Sequence, residues 1–120
     1  MSQVVVFVCP HGALKSRLAA AFFNAAAGPG WRAVSAGLEP QADPSVHAAA
    51  LVAGTAAAAL LESGPPRGLS TVDSRDRVVA IDCEVPGALS WQLADPGPSE
   101  PMRDEIRSRA TAFAREVIDD

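Results

Sequence analysis

The run Val4-Val5-Val6-Phe7-Val8, ended by Cys9-Pro10, constrains this chain more than any other stretch. Continuous β-branched and aromatic residues without polar alternation make a strand buried on both faces. Such strands belong to parallel sheets, and the elements downstream fit one. Lys15 to Ala27 predicts a helix with Leu18, Phe22 and Ala25 or Ala26 on one stripe, stopped by Gly28-Pro29-Gly30. Trp31 to Ala36 alternates as a second strand closed by Gly37. Asp43-Pro44 reads as an N-cap with proline at the first helical position, opening one kinked helix or two short ones around Gly54-Thr55. Ser63 to Gly68 is a loop, Arg77 to Ile81 a third strand, and Ala88 to Leu93 holds a fourth. Met102, Ile106, Ala110, Phe113 and Val117 mark a closing helix over Met102 to Ile118, with Ser99 and Pro101 at its start. Strands alternating with helices predict an α/β three-layer sandwich on a four-stranded parallel sheet, one domain over residues 1–120.

Composition narrows the partners. A net charge of −4 and a pI near 5.0 argue against nucleic acid or an anionic membrane surface. The longest uncharged apolar run, Ala48 to Leu61, is too short to span a bilayer. Met1-Ser2-Gln3 leads straight into the first strand without a basic segment, which predicts no secretory leader and a cytoplasmic chain. Two cysteines in that compartment predict free thiols. Cys9, His11, His47 and Cys83 lack zinc-type spacing, so neither a metal nor a cofactor is expected, and His47 reads as a surface or packing residue.

Ligands of such folds bind where strand C-termini meet helix N-termini. The first such place reads Val8-Cys9-Pro10-His11-Gly12-Ala13-Leu14-Lys15-Ser16-Arg17. A helix N-terminus and the unpaired N–H groups of a tight loop cradle an anion. The same positive potential favours the thiolate of a cysteine placed there. A serine at the helix start can hydrogen-bond that thiolate, and a lysine can attract an oxyanion.

At these residues the chain resembles the low-molecular-weight protein tyrosine phosphatases and the arsenate reductases that share their fold. Their loop is Cys, five residues, Arg, Ser; here it is Cys9, five residues, Lys15, Ser16. Ser35-Ala36-Gly37 resembles the family's Ser-Ala-Gly segment, and Trp91-Gln92-Leu93-Ala94-Asp95-Pro96 its Asp-Pro segment. Each match alone is weak, and their order along nearly the whole chain is the stronger signal. The resemblance implies that Cys9 is the nucleophile, forming a phospho- or arseno-cysteine, and that Ser16 supports the thiolate. It implies that Asp95 is the general acid and then the base for water. Pro10, His11, Gly12, Ala13 and Leu14 would form the oxyanion-binding loop, and a phosphate-like oxyanion or phosphorylated substrate would be the ligand.

Four departures bear on activity. The family's loop arginine is Lys15, a point charge in place of a planar fork, although nine of the ten basic residues are arginine. Losing one such charge-assisted donor typically costs ~10²–10³ in rate. Arg17 stands too far along the helix to replace the fork simply. His11 and Gly12 replace the family's usual Gly and Asn, so the loop must be held differently; His11 either adds a donor or lies outside the site. The chain has no tyrosine to wall a phosphotyrosine ring. Cys83 resembles the first relay cysteine of the reductases, without a second after it, and is either a resolving thiol or a buried small hydrophobe. The chain also looks shorter than typical members between the second helix and Asp95, which predicts a shallow, open site.

The leading expectation is therefore weak cysteine-dependent phosphatase-type chemistry, with arsenate reduction second and a thiol reductant or partner protein as a companion. The alternatives are a pseudophosphatase that binds oxyanions or phosphoproteins without turnover, and a cysteine phosphocarrier similar to the sugar phosphotransferase B subunits, which needs no Asp95.

Overall fold

The structure, a computed structural model, describes residues 3–73 and 76–119; the reading of Met1 and Ser2 lies outside them. Strand β1 (Gln3–Cys9) is followed by helix α1 (Lys15–Ala26), strand β2 (Trp31–Gly37) and helix α2 (His47–Val52). Strand β3 (Arg77–Ile81), strand β4 (Leu89–Trp91) and helix α3 (Glu100–Asp119) complete the order. The sheet runs β2-β1-β3-β4, every pair parallel, so the four-stranded parallel α/β architecture is as expected. No described helix is long and apolar enough to cross a membrane.

Strand alternation divides β1 between two cores. Val5, Phe7 and Cys9 face α1 and α3, where Leu18, Phe23, Met102, Ile106 and Ala110 are fully buried. Phe7 sits among Phe23, Trp91 and Phe113, with ring centroids 5.4–6.4 Å away. Aromatic contacts at this spacing reward edge-on and tilted geometry beyond plain area burial. Val6 and Val8 face the other side, where Val72, Val78, Cys83 and Val85 pack on them. Val72, at the end of the crossover from β2 to β3, comes to that side, whereas Val52 and Ala57 of the same crossover pack in the core with α1 and α3.

The second helix does not open at Asp43-Pro44. It starts at His47, whose N–H is accepted by Ser45 Oγ at 3.2 Å. The chain before it is held to the loop after β1, Ser45 N–H donating to the Ala13 carbonyl at 3.0 Å, which leaves Asp43 and Pro44 outside the helix. Gly54, at φ +79°, follows its end, and a separate 3-10 turn occupies Ala58–Leu60, so the region holds two short pieces. Helix α3 begins two residues earlier than expected; Ser99 Oγ accepts from Met102 N–H at 3.2 Å.

Candidate functional site

Cys9 ends β1 at 3% exposure, at the C-terminal edge of the sheet where α1 begins. Its Sγ lies 3.2 Å from Ser16 Oγ, itself fully buried in the first turn of α1. A hydroxyl so placed donates to the sulfur once the thiol ionises.

The loop between them is fixed by its carbonyls. Those of Cys9, Pro10 and His11 accept from the N–H groups of Leu38, Glu39 and Gln41 at 3.2, 2.9 and 3.3 Å. The Gly12 carbonyl accepts from Arg17 Nε at 3.2 Å, Ala13 from Ser45 and Leu14 from Leu18. Because each peptide is planar and trans, a carbonyl held one way sends the following N–H the other way. Among the described residues, no acceptor meets the N–H groups from His11 to Arg17. A row of unsatisfied donors at a helix N-terminus beside a cysteine is an anion-binding arrangement.

Backbone packing holds the loop against the end of β2. Gly12 at φ +66° lies against Gly37, which closes Ser35-Ala36-Gly37. Arg17 completes the support. It is only 1% exposed, and besides Gly12 its guanidinium donates to the carbonyls of Glu62 and Gly64. Burial lowers its pKa, with the Glu62 charge acting against that shift. The Glu62 carboxylate in turn accepts from Ser35 N–H at 2.9 Å, Ser35 Oγ at 3.1 Å and Arg67 at 2.7 Å. Arg17 thus ties the loop to the crossover and has no spare donor fork for a ligand.

A cleft of about 290 Å³ opens over the loop. Cys9, Pro10, His11, Ala13, Leu14 and Lys15 line it, joined by Gln41 and Ser45 from the segment before α2. His11 is exposed, and its Nδ1 donates to the Glu39 carbonyl at 3.3 Å. Lys15 Nζ meets Asp82 Oδ2 at 2.6 Å, with both side chains about four-fifths buried. Asp82 follows β3 at φ +54°, and Leu93 N–H donates to its Oδ1 at 2.9 Å. Burial works to raise the Asp82 pKa, but the Lys15 hydrogen bond and the Leu93 N–H outweigh it and hold the carboxyl below the usual value. Sequence reasoning passed over Asp82; the available signal was a lone acid directly after a hydrophobic strand, at the sheet edge where site residues gather.

Two candidates are not among the residues that line the cleft. Asp95 Oδ1 accepts from Gly97 N–H at 2.8 Å, closing a turn, and Asp95 is not among the residues lining the cleft. Cys83 Sγ lies 3.5 Å from the Val8 carbonyl and packs with Val6 and Val8, whereas Cys9 belongs to the core on the opposite side. Burial pushes the Cys83 thiol pKa up, and the Cys9 charge adds to that. His47 is exposed at the start of α2 and belongs to no part of the site.

No family model and no curated protein sequence matches the chain. Solved structures do. An arsenate reductase from Archaeoglobus fulgidus superposes with a TM-score of 0.75 at 25% identity, covering 92% of this chain and 98% of that one. An arginine phosphatase from Geobacillus stearothermophilus gives 0.72 at 20% identity, over 96% of this chain and 92% of the other. A low-molecular-weight protein tyrosine phosphatase from T. tengcongensis gives 0.69 at 18% identity, over 98% and 99%. The chain has the fold of the arsenate reductases and low-molecular-weight phosphatases, as its motifs imply. Each of these three structures is matched over nearly its whole length.

Proposed function

We propose that the chain carries out cysteine-dependent chemistry on a phosphate-like oxyanion, of the phosphatase type and at low rate, with arsenate as an alternative oxyanion. The observation that carries this reading is the loop itself. Its carbonyls from Cys9 to Leu14 are all occupied, its N–H groups are left to a ligand, and the Cys9 sulfur lies beside a buried hydroxyl.

In the proposed reaction the Cys9 thiolate attacks phosphorus, and the Sγ–P bond forms as the bond to the leaving oxygen breaks. Asp95 supplies the proton to that oxygen and then accepts one from the attacking water. The water forms the new P–O bond, the Sγ–P bond breaks, and Ser16 Oγ–H stabilises the returning thiolate. The loop N–H groups, Lys15 among them, hold the equatorial oxygens. Asp95 works through Oδ2, since Oδ1 is engaged by Gly97. A lysine in place of the fork supplies fewer directed donors to the transition state, which supports a slow enzyme. The cleft lacks an aromatic wall, which argues against phosphotyrosine as the substrate. A cytoplasmic chain would keep Cys9 reduced, with a thiol reductant or a partner protein as companion.

A second reading, an oxyanion-binding pseudophosphatase, is favoured by one contact: the Lys15 ammonium is already engaged by Asp82. Hydrolysis of p-nitrophenyl phosphate from pH 5 to 8 separates the two. Turnover by the wild type that disappears in Cys9→Ser supports the enzyme. Equal baseline rates in both proteins, with phosphate still bound, support the binding module. Neither turnover nor phosphate binding would sink both.

A further inference from the structure

Asp82 joins two parts of the chain around the cleft. Its Oδ2 accepts from Lys15 Nζ at 2.6 Å, its Oδ1 from Leu93 N–H at 2.9 Å, and its own N–H donates to the Trp91 carbonyl at 2.9 Å. Leu93 stands two positions before Asp95. The carboxylate therefore touches the helix start that follows the anion loop and the segment that carries the candidate acid.

Lys15 is the only lysine of the chain, and it lines the cleft with Cys9. An ammonium is a compact charge with three donors and no planar fork, so one carboxylate at short range takes its most favourable direction. An oxyanion arriving over the loop brings a second negative charge toward the same ammonium. The two anions also repel one another across a half-buried site, where screening is weaker than in water.

Resting on the proposed reading of the loop as an oxyanion site, we infer that Asp82 is a positioning residue that restrains oxyanion affinity, holding Lys15 and competing with the bound anion for it. The chain at rest has its only cleft-lining ammonium paired, and binding is obtained by sharing or displacing that pair. Removing the Asp82 charge while keeping its shape frees Lys15 for the ligand and removes a nearby repulsive charge.

The test is a titration of the full chain with inorganic phosphate, by calorimetry or ³¹P resonance, for wild type, Asp82→Asn, Lys15→Met and the double variant. Asparagine accepts the left-handed backbone that Asp82 adopts, and its amide oxygen can still accept from Leu93 N–H. Asp82→Asn is expected to bind phosphate roughly 5- to 20-fold more tightly than wild type. That gain is expected to vanish when Lys15→Met is added, because it is exerted through the ammonium. General damage to the fold would weaken binding and cannot produce a gain. Asp82→Gly, which suits the same backbone, is the second variant and is expected to gain in the same direction. Phosphate bound by wild type, with no gain in either folded variant or a gain that survives Lys15→Met, overturns the role of Asp82 and leaves the oxyanion site standing. No phosphate binding by any of these proteins overturns both.

Discussion

Gly12 and Gly37 meet backbone to backbone: a Cβ on Gly37 would stand 2.5 Å from the Gly12 nitrogen and 2.6 Å from the His11 carbonyl carbon. The end of β2 is thus the surface on which the loop after Cys9 is moulded.

Gly37→Ala should therefore act on the loop. Overpacking against backbone typically costs about 1–3 kcal/mol, and no flexible side chain is there to yield. Phosphate affinity should fall at least tenfold, and the thermal midpoint should drop by several degrees. Gly28→Ala is the control, since a Cβ there meets nothing within 4 Å. Equal phosphate affinity in Gly37→Ala and wild type would show that the loop does not depend on this contact.

Ser16 should separate chemistry from stability. Its hydroxyl is buried against Cys9 Sγ at 3.2 Å. Deleting one hydrogen bond of this kind costs about 1 kcal/mol of stability, whereas losing a donor to a developing negative charge costs ~10² or more in rate. Ser16→Ala is expected to melt within a few degrees of wild type while p-nitrophenyl phosphate turnover falls about a hundredfold. Retained turnover would remove Ser16 from the mechanism.

The alternation of sheet and helix was legible because each long element carries its own period: the apolar run of β1, and the spacing of Met102, Ile106, Ala110 and Val117 on α3, all fully or nearly fully buried. The cysteine loop was legible because its residues are contiguous. What sequence could not show were contacts between distant segments. Asp82 reaches Lys15 across 67 positions, and Arg17 reaches Gly64 across 47. Nor does the sequence say which side of the sheet a residue takes once its strand has ended. Asp82 turns toward the loop and its neighbour Cys83 toward Val8, so one position separates a contact with the site from a place in the opposite core.

Arg17 should be a stability residue. Its guanidinium is buried and donates to three carbonyls, those of Gly12, Glu62 and Gly64. Arg17→Met leaves the buried Gly12 carbonyl without a partner, at about 1–3 kcal/mol for a buried unsatisfied group, whereas the Glu62 and Gly64 carbonyls can turn to water. A loss of about 1–3 kcal/mol is expected in urea unfolding. Arg67→Ala, which removes a half-exposed partner of the same Glu62 carboxylate, should cost less than about 1 kcal/mol. Similar midpoints for the two variants would contradict the network.

Cys83 should be slow to react at neutral pH. Burial, with the Cys9 charge second, raises its pKa above the reference value of 9.0, so the thiol stays protonated through the physiological range. Iodoacetamide labelling followed by mass spectrometry should modify Cys83 more slowly than an exposed thiol at the same pH, and faster as pH rises. Cys83→Ala should leave p-nitrophenyl phosphate turnover within twofold of wild type, because the sulfur packs with Val6 and Val8 rather than in the cleft. A loss of turnover in that variant would place Cys83 in the reaction.

The Lys15–Asp82 pair should give the stability curve a defined acid limb. The folded chain holds the Asp82 carboxyl below its reference pKa of 3.8, despite burial, through Lys15 and the Leu93 N–H. Near that pH the unfolded chain binds more protons at this group than the folded chain, so stability rises with pH. The contribution is complete above about the unfolded pKa and is lost as pH falls through the lower, folded value. Asp82→Asn has no such group. The stability difference between wild type and variant, from urea titrations between pH 2.5 and 7, should be constant above about pH 5 and shrink progressively below about pH 4. A difference that persists unchanged down to pH 2.5 would mean that the variant loses packing rather than an ion pair, and that Lys15 is not held by the Asp82 charge.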